Sequence, residues 1–246
     1  MLSSRIKFFN FKKKPKSKLI TKKIKKNYDQ LIVENNTILQ SLSKNYKDNF
    51  DTKLINKFNK FENFRIFGMG GSSLGAQAIY QFMKHKIKKN FNFIDNLQAN
   101  KNLSKKKNIN IIISKSGNTI ETIANTNVFI KKNDKNIFIT ENKKNYLLKL
   151  AQKLKADVVH HNNFIGGRFS VLSEVGMLPA ELMGMKSKSF RQYNSLIKNK
   201  KFINNLVNNV ASTLFLIKKK KFNSVIINYD EKSENLFKWY QQLIAE

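Results

Sequence analysis

The spacing of apolar residues changes several times along the chain, and each change marks an element. Over 27–49, Leu31, Ile32, Ile38, Leu39 and Leu42 recur at the spacing of an amphipathic helix. FRIFGMG (64–70) is a short apolar run ending in glycine, which reads as a strand entering a turn. A helix over 72–86 follows, then a weaker strand, NFNFID (90–95). NINIIISKS (108–116) is the clearest buried strand, its isoleucines broken only by Asn110. The pattern then predicts a helix over 119–131, a strand NIFITE (136–141), a helix over 146–154 and a strand ADVVHH (156–161).

Strands and helices alternating with short connections predict an α/β fold with a mainly parallel sheet covered by helices. Helical spacing resumes after Gly184 and lasts to about Lys219. NSVIINYD (223–230) then reads as a fresh strand, followed by one helix. A single strand and helix cannot bury both faces of a sheet, so this second unit is expected to be unfinished. The expected organisation is a basic leader and helical lead-in over 1–50, a first α/β domain over 51–185, and over 186–246 connecting helices with the start of a second domain.

Composition narrows the picture. The 246 residues are 41% hydrophobic, enough for a real core, and no apolar run is long enough to span a membrane. Cysteine is absent, which removes disulfide and thiol chemistry and fits a reducing, cytoplasmic setting. The formal net charge of +31 suits a polyanion binder, yet only Arg5, Arg65, Arg168 and Arg191 among the 47 basic residues are arginine. A surface built for nucleic acid uses arginine heavily. The lysine excess, with abundant Asn, Ile and Phe, reads as a composition bias, so no specific nucleic acid and no membrane partner is expected. The charge can still steer a small anion. The acid-free segment 1–26 reads as a solvated leader.

Four stretches have the residue types for chemistry. GMGGSSLGA (68–76) joins a strand to a helix, where glycines allow close approach and helix-start amides favour anions. Ser73 and Ala76 stand where a dinucleotide fingerprint needs glycine and a Walker A loop needs lysine, so no nucleotide is indicated. SKSGNTIET (114–122) also follows a strand and opens a helix. Ser114, Ser116, Thr119 and Thr122 offer hydroxyls, Gly117 backbone freedom and Lys115 a charge: a phosphate cradle, or alternatively ordinary helix capping. In GGRFSVLSEVGMLPAEL (166–182), a scarce Arg168 follows two glycines. It suits a bidentate contact, or a structural salt bridge to a carboxylate such as Glu174. In WYQQLIAE (239–246), Gln242 and Glu246 are four apart and share a helix face. His160 and His161, adjacent on a strand, point to opposite faces and are read as structural. His85 is read as a helix-surface residue. No metal site is expected.

Taken in order and at these intervals, the four stretches resemble glucose-6-phosphate isomerase (phosphoglucose isomerase), a family within the sugar isomerase (SIS) superfamily. The resemblance runs over 64–246. It implies a three-layer α/β/α SIS fold followed by an incomplete second SIS domain. It implies an enzyme of glycolysis and gluconeogenesis that interconverts glucose 6-phosphate and fructose 6-phosphate, acts as a homodimer and needs no cofactor. By the same resemblance, Ser114, Lys115, Ser116 and Thr119, with Thr122 nearby, hold the phosphate. Gly71 and Ser72 contact the sugar, Arg168 stabilises the enediolate, Gln242 lines the site, and Glu246 is the proton-transferring base.

The phosphate loop departs from the Ser-Lys-Thr of many members. The family also continues past the base into a Ser, a Gly-Lys segment, a catalytic His and a later Lys that this sequence does not contain. The chain is therefore expected to be an N-terminal part of such an enzyme, binding sugar phosphate weakly and inactive alone. The alternatives are a non-catalytic sugar-phosphate-binding SIS module and a bifunctional phosphoglucose/phosphomannose isomerase.

Overall fold

The computed structural model describes residues 18–97, 108–131 and 133–245. In chain order its elements are α1 (Lys18–Glu34), α2 (Thr37–Ser41), α3 (Thr52–Asn59), β1 (Asn63–Phe67), α4 (Leu74–Phe82), β2 (Asn90–Ile94), β3 (Ile109–Ile113) and α5 (Ile120–Phe129). There follow β4 (Lys135–Glu141), α6 (Tyr146–Lys153), β5 (Asp157–His161), α7 (Glu174–Leu182), α8 (Ser187–Phe190), α9 (Tyr193–Leu196), α10 (Lys200–Lys218) and α11 (Glu234–Ala245). The described residues fall into two compact units, one drawn from 18–46 and 191–227 and the other from the described parts of 47–190 and 228–245.

The larger unit is the α/β layer structure that the alternating pattern predicts. Its five strands are all parallel, in the order β2-β1-β3-β4-β5. Strand β3 is buried along its whole length, because a central parallel strand has helices on both sides. On one face Phe64, Ile66, Ile111, Ile113, Ile137 and Ile139 pack against α3, α4 and α7 through Phe58, Ala76, Ile79, Met177 and Leu178. On the other, Phe67, Ile112 and Phe138 pack against Phe129 of α5 and Leu147 and Ala151 of α6. Asn110 and Asn136 are cross-strand neighbours in β3 and β4, and Asn110 Nδ2 donates to Asn136 Oδ1 at 2.8 Å inside the sheet. The order of strands reverses between β1 and β3. The loops leaving their carboxyl ends therefore diverge and leave a crevice, the favoured ligand position of an open α/β sheet.

The smaller unit is helical. Among the described residues α1 is helical from Lys18, so the latter part of the segment read as a solvated leader is helical. The helix predicted over 27–49 is two: Asn35 takes a positive φ of 43°, and the Asn36 side chain caps α2 by accepting from the Leu39 amide. An αL residue followed by a new cap ends one helix and starts another, which apolar spacing alone does not register. The strand read at 223–230 does not form. The run is exposed and has no ladder partner among the described residues. A strand is stable only when a neighbour takes its backbone hydrogen bonds and its faces are covered. Among the described residues no helix is long and apolar enough to cross a membrane.

Candidate functional site

The hydroxyl-rich turn forms where β3 ends. The Ser114 amide still donates to Ile139 O at 3.1 Å, and the chain then turns away from the sheet. Gly117 makes the turn: its φ is +65°, and an added Cβ would sit 2.1 Å from Asn145 Oδ1, so only glycine fits. Thr119 is the residue before α5, yet its side chain does not cap the helix. Its Oγ1 instead lies 2.8 Å from Ser114 Oγ, which also accepts from the Gly117 amide at 3.2 Å. The hydroxyls are thus gathered to one another, beside helix-start amides with no partner in the helical ladder. Ser116 is exposed; its Oγ accepts from the Asn118 amide at 3.2 Å. Lys115 Nζ lies 3.6 Å from Glu141 Oε1. Thr122 is buried in α5 behind the turn, where its carbonyl accepts from Thr126 Oγ1.

The glycine-rich turn follows β1 next door. An added Cβ on Gly68 would lie 3.2 Å from Ile113 O, which marks how closely the two turns adjoin. Gly70 has φ +51°, and Gly71 packs flat on Gly167, whose carbonyl carbon and oxygen lie 2.3 Å from where a Gly71 Cβ would be. Ser170 Oγ donates to Gly71 O at 3.0 Å and fastens the same contact. Ser72, half-buried, sits at the end of this turn.

Arg168 lies in the helical turn Gly167–Leu172 that follows β5 and precedes α7. Its guanidinium stacks on Phe169 at 4.9 Å, and its carbonyl accepts from Trp239 Nε1 at 3.1 Å. That bond docks α11. Gln81 of α4 holds the start of α11, accepting from the Asn235 amide at 2.9 Å and donating to Glu231 O. Further along α11, Gln242 Nε2 lies 2.9 Å from the position of a Gly70 Cβ, so the glutamine sits against the glycine-rich turn. Glu246 lies outside the described residues.

The structure therefore joins Gly71, Ser72, Arg168 and Gln242 through direct contacts of their loops, with the Ser114–Thr119 turn adjoining. His161 is buried and its Nδ1 lies 3.4 Å from Glu174 Oε2, while His160 is half-buried on the other face and His85 is exposed. Among the described residues no group of three His, Cys, Asp or Glu is arranged to hold a metal. Three supporting residues escape a reading by motif. Asn145 caps α6, accepting from the Leu148 amide, and closes over Gly117; an Asn just before a helical pattern is the signal that marks it. Ser170 and Trp239 bridge segments far apart in sequence, and apart from lying inside the motifs they have no local signal.

The chain is similar in sequence and in fold to known proteins. Residues 22–246 match the family model described as phosphoglucose isomerase. The chain is 34% identical over 218 residues to a glucose-6-phosphate isomerase of Methanocaldococcus jannaschii, covering 82% of this chain and 53% of that one. It is 32% identical over 217 residues to a glucose-6-phosphate isomerase of Borreliella afzelii, covering 76% and 40%. A crystal structure of a hypothetical protein from Thermus thermophilus shares the fold, with a TM-score of 0.68 at 21% identity, covering 89% of this chain and 58% of that one.

Proposed function

The chain belongs to the phosphoglucose isomerase family, and from that premise we propose that it binds sugar phosphate and supplies site residues of an aldose–ketose isomerase that interconverts glucose 6-phosphate and fructose 6-phosphate. The chain spans about half the length of the curated relatives it matches, 53% and 40% in the two named above. The activity of the complete enzyme, its place in glycolysis and gluconeogenesis, its cytoplasmic setting and a homodimer of the complete chain enter here as parts of this reading.

The observation that supports it most is the convergence of three distant loops beside a cluster of hydroxyls. The Gly71 and Gly167 turns touch, Trp239 bonds to the Arg168 carbonyl, and Ser114 and Thr119 adjoin them. In this reading the substrate phosphate sits on the Ser114, Ser116 and Thr119 hydroxyls and the first amides of α5, with Lys115 adding charge and Thr122 backing the turn. Anions favour helix N-termini, and charge-assisted hydrogen bonds are the strong ones. Anchored there, the substrate presents its first two carbons to the Gly71–Ser72 turn, Gln242 and Arg168.

The reaction moves one proton between adjacent carbons. A carboxylate takes the proton from the carbon next to the carbonyl, the C–H electron pair becomes the enediolate double bond, and negative charge gathers on oxygen. Arg168 stabilises that oxyanion. The carboxylate, assigned here to Glu246, returns the proton to the neighbouring carbon, while the hydroxyl proton passes from the oxygen that becomes the carbonyl to the oxygen that becomes the hydroxyl. Phosphate binding far from the reacting carbons supplies the energy that aligns them.

Calorimetric titration with fructose 6-phosphate and a coupled isomerase assay test the reading. The 246 residues are expected to bind the sugar phosphate weakly, with Kd on the order of millimolar, and not to turn it over. Turnover is expected when polypeptide matching the remaining half of the relatives is supplied. Full isomerase activity from this chain alone contradicts the reading, as does failure to bind any sugar phosphate.

A further inference from the structure

The Ser114–Thr119 turn is held from the neighbouring strand, largely by residues outside its own motif. Where β4 ends, the Glu141 amide donates to Lys115 O at 3.1 Å, and Thr140 Oγ1 donates to the same oxygen at 3.3 Å. Further round the turn, Gly117 O accepts from the Leu147 amide at 3.1 Å, and Asn118 Oδ1 accepts from the Tyr146 amide at 3.0 Å. Tyr146, Leu147 and Leu148 open α6, and the Leu148 amide donates to Asn145 Oδ1 at 2.8 Å. The first amides of a helix have no partner in its own ladder. In α6 these three have partners, and two of them bond to the turn.

Asn145 stands where these bonds meet, and it is only 5% exposed. The Leu148 N–H can only donate, which places Oδ1 toward it and the NH2 group on the other side. Nδ2 then donates to Lys143 O at 2.9 Å and to Thr140 Oγ1 at 3.1 Å, the hydroxyl that bonds to Lys115 O. The same carboxamide lies against Gly117, where a Cβ would be 2.1 Å from Oδ1. One side chain thus reaches the turn at Lys115 through Thr140 and at Gly117 by contact. Capping α6 requires only an acceptor, which serine supplies as well as asparagine. The NH2 group and the contact with Gly117 serve the turn.

We propose that Asn145 and Asn118 are positioning residues that seat the Ser114–Thr119 turn on the start of α6 and so fix its hydroxyls and the first amides of α5 for a phosphate group. Donors aimed before the anion arrives bind it better than donors that must first be ordered. The consequence for phosphate rests on the function proposed above, whereas the seating of the turn on α6 does not.

The experiment has two arms. In the ligand-free chain, hydrogen exchange read by NMR is expected to show the Tyr146 and Leu147 amides protected. The Tyr146 amide should exchange about tenfold faster in Asn118→Ala, the scale of one lost hydrogen bond, and stay within about twofold of the parent in Asn118→Asp, which keeps the accepting oxygen. Asn118 is exposed, so both variants leave the core intact, and β3 and β4 should keep their protection. A Tyr146 amide that exchanges freely in the parent, or equally fast in the parent and in Asn118→Ala, overturns the proposal.

In the second arm, inorganic phosphate is titrated into the same chain. Asn145→Ser keeps a cap on α6 but loses the link to Thr140 and the contact with Gly117. It is expected to weaken phosphate about tenfold, as is Asn118→Ala. In a Ser114→Ala background each should cost less than about threefold, because changes that act through one contact are not additive. Phosphate affinity unchanged in Asn145→Ser would reduce that residue to a helix cap and overturn the proposal, as would losses that add in full. Asn118→Ala decides the matter should Asn145→Ser fail to fold. A parent chain that ignores both inorganic phosphate and fructose 6-phosphate overturns the proposed function instead, and the exchange data then judge the seating of the turn.

Discussion

At the scale of single residues, the site depends on atoms that are absent. Gly71 has no room for a Cβ against the Gly167 backbone, and neither does Gly117, at positive φ, against Asn145. Gly71→Ala is expected to destabilise the chain by about 3 kcal/mol, the upper range for overpacking. That lowers Tm by roughly 6–12 °C in a chain of this size, as a thermal melt would register. Ser114→Ala makes a different test, because it removes one hydroxyl of the gathered pair without filling space. Inorganic phosphate affinity should fall about tenfold with Tm nearly unchanged, as expected for one charge-assisted hydrogen bond. An affinity that does not move would show that the hydroxyls serve the turn and not a ligand.

At the scale of elements, α11 matters because one face is anchored and another is not. Trp239 ties it to the Arg168 carbonyl, and Trp239→Phe keeps the apolar ring while deleting the donor. The change is expected to cost about 1 kcal/mol and to raise hydrogen exchange in α11 and the 167–172 turn together. The helical unit offers a test by pH. Burial pushes the phenols of Tyr28 in α1 and Tyr193 in α9 above their ordinary value, Tyr28 further through Asp29 and Tyr193 through Tyr28 itself. A folded state that holds these protons to higher pH than the unfolded state keeps its full stability below about pH 10 and loses it as pH rises through the folded values. Circular dichroism should therefore show helix loss above about pH 10, and Tyr193→Phe should lessen it.

At the scale of the whole molecule, the chain exposes apolar surface in two neighbouring stretches of the sequence. Leu236, Tyr240 and Ile244 form an exposed stripe along α11, and Phe222, Val225, Ile226 and Ile227 are exposed in the extended run before it. With the chain spanning about half of its curated relatives, polypeptide matching their remaining half is expected to cover both. Dye binding to exposed apolar surface should fall, and the 222–227 amides should gain the slow exchange of a paired strand. Unchanged exchange there would mean that the run is a connector.

The inner strands of the sheet were legible in the sequence because a strand covered on both faces is mostly apolar, and FRIF, NINIII and NIFITE satisfy that locally, while the edge strands NFNFI and DVVHH are only partly buried. Three of the four candidate stretches stand out because glycines and hydroxyls cluster where strands meet helices, and the fourth because Gln242 and Glu246 are spaced to share a helix face. The break at Asn35 and Asn36 escaped, since apolar spacing does not register a cap or a left-handed residue. NSVIINYD has a strand's composition but no partner, and pairing is a property of two segments. The contacts that assemble the site, Gly71 on Gly167 and Trp239 on Arg168, join residues remote in the chain. Composition and periodicity are local quantities, so they determined the elements and the candidate residues. Only the tertiary structure decided which loops touch, because that depends on the strand order and on how closely two backbones approach where neither has a side chain.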